Sequence, residues 1–175
     1  DVLTNFKNQG RLRFIGLSDW SNSRIMKYIK MCDPDVVQPY RNVMDDGFIK
    51  SGLCSYVNKN NLGVCFFSPI KHGLLTGKYD KPTSFELGDH RSGVKDFADQ
   101  KVIDKMKQNK LLLEKRFTEH KHPVMRGLVD ALFNDAKSGC VLLGQRNVDQ
   151  VNVASTLGEP MDEKHSAWVK SLYRH

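Results

Sequence analysis

Val64-Cys65-Phe66-Phe67 is a short apolar run of the kind that forms a fully buried strand. It stops at Ser68-Pro69, where proline has a fixed φ and no N–H to continue a ladder. Gly73 and Gly77 then permit a tight loop that comes close to a ligand, and Lys71 and Lys78 lie in the same stretch. A strand that runs into a loop of Ser, Gly and Lys is a candidate anion site. Free backbone N–H groups and an ammonium can face a phosphate there. The plain alternative is a buried strand followed by a surface turn, and the spacing by itself leaves both open.

The surrounding elements must bring other polar groups to that loop. Thr4 to Gly10 reads as the end of a helix, and Arg11 to Leu17 as a strand. Ser18-Asp19-Trp20-Ser21 is a turn in which Ser21 or Asn22 caps a helix carrying Ile25, Met26 and Ile29 on one face. Val36-Val37-Gln38 is a second strand, ended by Pro39. Phe48 to Asn60 reads as one helix. The stretch from Asp80 to Gly93 is a long Pro/Gly/Ser-containing loop, of a length that usually carries function or disorder. Helices follow at Phe97 to Phe117 and from Pro123 to about Lys137. Gly139 to Gly144 is a fourth strand, Asn147 caps a short helix, and Pro160 to Tyr173 forms a terminal one.

Short buried strands alternating with helices predict an α/β fold with a parallel sheet. Right-handed crossovers place the loops after all four strands on one edge, where ligands bind in such folds. Ser18-Asp19, Gln38, Phe67-Ser68 and Gly144 to Asn147 then meet at one rim.

A chain of 175 residues suits one domain with a real core. Hydrophobic residues make up 39% and charged residues 27%, the composition of an ordinary globular protein. No apolar stretch is long enough to span a bilayer, and no signal-peptide pattern opens the chain at Asp1. The missing initial Met suggests a processed chain or a piece of something longer. Lys and Arg number 27 against 20 acidic residues, a balance of +7 that favours a solvated basic surface or an anionic ligand. The basic residues are scattered, so nucleic acid is the weaker reading. Cys32, Cys54, Cys65 and Cys140 have no paired spacing. Buried, reduced thiols in a reducing, cytoplasmic compartment are expected, with no disulfide and no metal.

In their order and spacing these segments resemble the C-terminal half of the aldo-keto reductases, NADPH-dependent (β/α)8 barrels. Arg13 to Trp20 is similar to strand five of that family, and Val37-Gln38-Pro39-Tyr40 to strand six. Phe67-Ser68-Pro69 with Gly73 to Tyr79 resembles strand seven, and Gly88-Asp89-His90-Arg91 the loop beyond it. Leu143 to Asn147 with Gln150-Val151 resembles strand eight and its phosphate-binding helix.

The resemblance implies a TIM-barrel type fold present as strands five to eight, a half-barrel over residues 1–175. It implies that Ser18, Asp19 and Gln38 hold the nicotinamide carboxamide and that Phe67 stacks on the ring. Ser68, Ile70, Lys71 and Gly73 would line the pyrophosphate. Gln145, Arg146 and Gln150 would reach the adenosine end, with the guanidinium favouring NADP(H) through a 2′-phosphate.

The chain departs from the family pattern at Asp19 (usually Asn), Lys71 (usually Gly) and Ala154 (usually Asn), and Asn134 and Asp135 stand where apolar residues are common. The family's catalytic Asp, Tyr, Lys and His precede the matched region, so no catalytic residue is assigned within this chain. His72, His90, His120 and His122 are expected to be loop or surface residues.

Four βα units cannot close an eight-stranded barrel. The face holding Phe14, Val36, Cys65 and Leu142 is therefore expected to lie open unless it is covered by a preceding half, a second copy or the long loop. Exposing ~400 Å² of apolar surface costs about 10 kcal/mol. Two functional readings stand: the NADP(H)-binding portion of a carbonyl-reducing oxidoreductase, or a non-catalytic nucleotide-binding or interaction module, pseudoenzyme or degenerate fragment.

Overall fold

The computed structural model describes residues 2–136 and 138–174. Lys137, at the expected end of the helix from Pro123, lies outside them. Four parallel strands, β1 (Gly16–Asp19), β2 (Val36–Pro39), β3 (Gly63–Phe66) and β4 (Gly139–Val141), form one sheet in the order β1-β2-β3-β4. Parallel neighbours cannot be joined by a tight turn and need a crossover, and helices make the links. Those between β1 and β3 are α2 (Asn22–Cys32), then α3 (Gly47–Lys50) and α4 (Leu53–Asn60).

Ser21 starts α2 by accepting a hydrogen bond from Arg24 N–H, and Asp33 ends it in the left-handed region at φ 42°. Ile25 and Ile29 of α2 and Leu53 and Val57 of α4 are buried with Val37, Val64 and Phe66 of the sheet. Tight cover of this outer face also comes from α5 (Gln100–Arg116), a short α6 (Pro123–Met125) and the segments after it, and α8 (Glu163–Tyr173). A further helix, α7 (Val148–Ala154), follows β4 and buries nothing.

Several expected boundaries move. Arg11 to Ile15 is not strand. Arg11 and Leu12 donate backbone hydrogen bonds to Phe6 O, closing the end of α1 (Val2–Asn8), and the Arg11 guanidinium lies 4.4 Å over the Phe6 ring. The ladder begins only where Asp35 and Val36 N–H reach Ile15 O.

The single helix expected over 48–60 is two, because Gly52 takes φ 82° between them. The helix expected from Pro123 breaks into α6, a π-turn over Arg126–Asp130 and a 3-10 turn over Phe133–Asp135. Gly127 lies so close to α5 that a Cβ there would be 2.7 Å from Leu113 Cδ2. The Asp130 carboxylate is buried inside the turn, accepting from Arg126 and from Gly158 N–H.

The inner face is uncovered among the described residues. Phe14 is 68% and Leu142 46% exposed, and Cys140 is exposed while Val36 and Cys65 are half-buried. The expectation of buried thiols thus fails at Cys32 and Cys140, both of which are exposed. The long loop does not cover this face with its aromatic ring: Phe85 packs instead on Tyr79 and Phe97. No disulfide joins the described cysteines.

Candidate functional site

At the carboxyl ends of β1, β2 and β3 lies an open cleft lined by Ser18, Asp19, Trp20, Arg24, Gln38 and Phe67. Ser18 Oγ donates to Gln38 O at 2.9 Å, fixing the hydroxyl while leaving its lone pairs available. The Tyr40–Phe67 bridge extends the β2–β3 pairing past the formal strands. It carries three rings to the rim: Phe67 meets Trp20 edge-to-face at 4.9 Å and Tyr40 at 5.7 Å. Burial pushes the Tyr40 phenol above its ordinary pKa, so it stays protonated at neutral pH.

The rim is anchored from behind. Arg41 is wholly buried directly after Tyr40, and its guanidinium pairs with Asp135 at 2.6 Å. Lys170 of α8 reaches the other Asp135 oxygen at 2.7 Å. Burial lowers the Lys170 pKa, and Asp135 opposes that shift. Asn134 donates to Met161 O. The polar pair at 134–135 is thus structural, which accounts for its departure from an apolar pattern.

The structure does not free every expected site residue to bind a ligand. Asp19 accepts from Ser21 N–H at 2.8 Å and lies 3.5 Å from Arg24 Nε, so its carboxylate is engaged in the turn. Lys71 pairs with Asp96 and sits 3.5 Å from Met44 Sδ. Gln150 accepts from Arg146 N–H at 2.7 Å and so serves the entry to α7. Ile70 turns into the core margin rather than to the rim. Gln145 and Arg146 are exposed, in the segment leading to the Asn147 cap.

The loop after β3 is strongly curved. Ser68, Lys71 and His72 take positive φ values of 61°, 47° and 56°, and Gly73 takes 90°. For non-glycine residues this conformation costs roughly 1–2 kcal/mol each. Ser68 Oγ is buried near the Tyr40 phenol yet makes no hydrogen bond of proper geometry.

Around this loop Asp89 caps a 3-10 turn and pairs with Arg91, which holds its carboxyl far below the usual range, and Arg146 adds to that effect. Burial, then the neighbouring His90, lowers the His72 pKa; Asp89 opposes the shift, and Arg91 and Lys71 add to it. Lys71, His72, His90, Arg91 and Arg146 therefore face two carboxylates, Asp89 and Asp96. Trp20 and Arg24 are the cleft residues that sequence reasoning left out. The signal for Arg24 was an acid–base pairing with Asp19 across a capped turn.

A profile of the Aldo/keto reductase family matches residues 1–172. The chain belongs to the aldo-keto reductases. It is 26% identical over 157 residues to the L-glyceraldehyde 3-phosphate reductase of Escherichia coli K12, covering 86% of this chain and 45% of that protein. It is 30% identical over 86 residues, or 47% of this chain, to the aldo-keto reductase yakc [NADP(+)] of Schizosaccharomyces pombe. Its fold matches the glycerol dehydrogenase AKR11B4 of Gluconobacter oxydans with TM-score 0.78 at 23% identity, over 97% of this chain and 51% of that one. The holo form of aldo-keto reductase AKR11C1 from Bacillus halodurans matches with TM-score 0.65 at 17% identity, over 97% of this chain and 53% of that one. The match thus spans about half the length of the Escherichia coli, Gluconobacter and Bacillus proteins and a quarter of the Schizosaccharomyces one. Its four parallel strands match about half of the barrel of these aldo-keto reductase structures.

Proposed function

We propose that this aldo-keto reductase chain supplies the NADP(H)-binding rim of a carbonyl-reducing oxidoreductase and corresponds to strands five to eight of the barrel. The observation that carries this reading is the cleft in which Ser18, Gln38 and Phe67 converge at the carboxyl ends of parallel strands. The residues present fit a nicotinamide dinucleotide. Ser68 Oγ is buried without a bond, Arg146 is exposed, and the strained loop carries Lys71 and His72.

When bound, the nicotinamide supplies the hydride that reduces an aldehyde or ketone. The Gln38 amide and Ser18 hydroxyl hold the carboxamide, and Phe67, propped by Trp20, presents an apolar surface to the ring and keeps water from it. Ser68 and Gly73 line the pyrophosphate. Arg146 and Gln145 meet the adenosine phosphate. Asp19, Ile70, Lys71 and Gln150, which the resemblance placed in the same site, join it only by giving up or sharing their present contacts. The proton donor for the carbonyl oxygen is assigned to a group outside this chain.

The open inner face calls for four further strands, supplied by a preceding half or by a second copy. Free thiols suit a reducing compartment such as the cytoplasm.

The test is quenching of Trp fluorescence by NADPH and NADH, followed by aldehyde reduction. NADPH is expected to bind more tightly than NADH. Arg146→Ala should erase that preference, because a charge-assisted bond contributes about 1.5–3 kcal/mol, or roughly 10- to 100-fold. Failure of both nucleotides to bind removes the reading. Binding without turnover is what this chain alone should show on either reading; turnover by the chain alone would overturn the assignment of the proton donor to a group outside it. The internal engagement of Asp19 and Lys71 favours the alternative, a non-catalytic nucleotide module.

A further inference from the structure

Cys65 of β3 and Cys140 of β4 are register partners in the parallel pair. Both thiols are free, Cys140 is exposed and Cys65 half-buried. They stand on the open face, since the residues flanking Cys65, Val64 and Phe66, point into the core. The β2–β3 register runs through Val37↔Val64 and Tyr40↔Phe67, so Cys65 lies beside Gln38. Phe67 is one side chain further along the same face. The two thiols therefore lie in the row directly below the cleft.

Adjacent strands are ~4.8 Å apart, so side chains standing side by side have Cβ atoms separated by about that much. A disulfide needs sulfurs at ~2.0 Å and Cβ atoms near ~3.8 Å. Direct crosslinking thus requires the strands to be drawn together. Two metal–sulfur bonds of ~2.3 Å bridge sulfurs up to ~4.6 Å apart with the strands left in place. Among the described residues no group of three or more His, Cys, Asp or Glu converges, so a cation that needs four protein ligands, such as zinc, is not satisfied. A soft ion content with two sulfurs is.

We propose that Cys65 and Cys140 form a two-thiol site for a single Cu(I) ion on the open face of the sheet. On binding, each S–H bond breaks and its electron pair stays on sulfur to form the S–Cu bond. Two protons pass to solvent, and copper remains Cu(I), so no electron is transferred. Burial and the neighbouring Cys140 thiol push the Cys65 thiol up to about 11, so Cys65 is protonated near neutral pH without the metal. Affinity therefore rises with pH as proton release becomes easier. Neither thiol takes part in the proposed dinucleotide contacts, so the site does not depend on nucleotide binding, and it is read on this chain alone, whose inner face is open.

The test is an anaerobic titration of the purified chain with Cu(I) against the chelator bicinchoninate. One Cu(I) per chain is expected, with release of two protons and a first shell of sulfur only by X-ray absorption. Bound Cu(I) should protect Cys65 and Cys140, but not Cys32, from iodoacetamide in the unaltered protein. Cys65→Ser and Cys140→Ser should each abolish competition with the chelator, while the Cys32→Ser, Cys54→Ser double variant should retain it. Binding that survives either single substitution, or that is equal in protein unfolded by urea, overturns the proposal. So does ready formation of a Cys65–Cys140 disulfide with oxidised glutathione, seen as a two-hydrogen mass loss in the linked peptides, because the spacing would then be wrong.

Discussion

On the helix side of the sheet Val37, Val64 and Phe66 are no more than 3% exposed, while on the other side Ser18 and Cys140 are exposed and Gln38 and Cys65 are half-buried. The two sets alternate along the same strands, so backbone conformation and strand length are shared and only the cover differs. One side has become a packed core. The other mixes small, polar and thiol side chains with apolar ones, among them Phe14 and Leu142 near its edges and Phe67 at the rim. A face awaiting only an apolar partner would be uniformly Val, Ile and Leu. The mixture instead suits a surface that is part lining and part binding site.

The contrast can be broken by substitution. Phe66 is fully buried, edge-to-face with Phe48 at 5.0 Å, so Phe66→Ala should lower stability by about 3–5 kcal/mol in urea unfolding. Next comes Gly77, which closes the loop against α5. A Cβ there would lie 2.5 Å from Met106 O at φ 67°, and Gly77→Ala should cost about 1–3 kcal/mol by the same measurement.

The acid limb sharpens the comparison at the rims of the two faces. Lys7 holds Asp35 below its ordinary value of 3.8, and Arg91 does the same to Asp89. A lowered carboxylate contributes stability that is present above that ordinary value and is lost as pH falls through the folded one. Thermal melts should therefore fall below about pH 4, and Asp35→Asn or Asp89→Asn should make that limb shallower. An unchanged limb in both variants would show that these pairs are not formed in solution.

Smallest of all, Phe14→Ala and Leu142→Ala should change stability by no more than about 0.5 kcal/mol, because both are exposed. A loss at Leu142 that approaches the Phe66 value would mean that this face is covered in solution by another chain segment.

The strands and their order were legible because each apolar run is bounded by Pro or Gly: Val36-Val37 before Pro39, and Val64 to Phe67 before Pro69. So was the convergence of Ser18, Gln38 and Phe67, which follows from parallel strands alone. The start of β1 was not, because Arg11 to Phe14 alternates like a strand while the N–H groups of Arg11 and Leu12 close the preceding helix. The Asp130 carboxylate within the broken helix accepts from Gly158, 28 residues on, and Lys71 is held by Asp96, 25 residues on. Such long-range partners leave no periodic trace. Asp19 is different. Its partner Ser21 is local, and the Ser18 to Ser21 turn chemistry contained that information.

Arg41 and Asp135 are 94 residues apart in the chain, and Lys170 lies another 35 beyond Asp135. At ~5–20 residues per second of ribosomal synthesis, ~5–20 seconds separate the making of Arg41 from that of the carboxylate it pairs with. During that interval a guanidinium destined for complete burial has to remain hydrated, and the chain beside it cannot settle. The tyrosine next to it is therefore among the late parts of the nascent protein to find its place, even though it belongs to the second strand made.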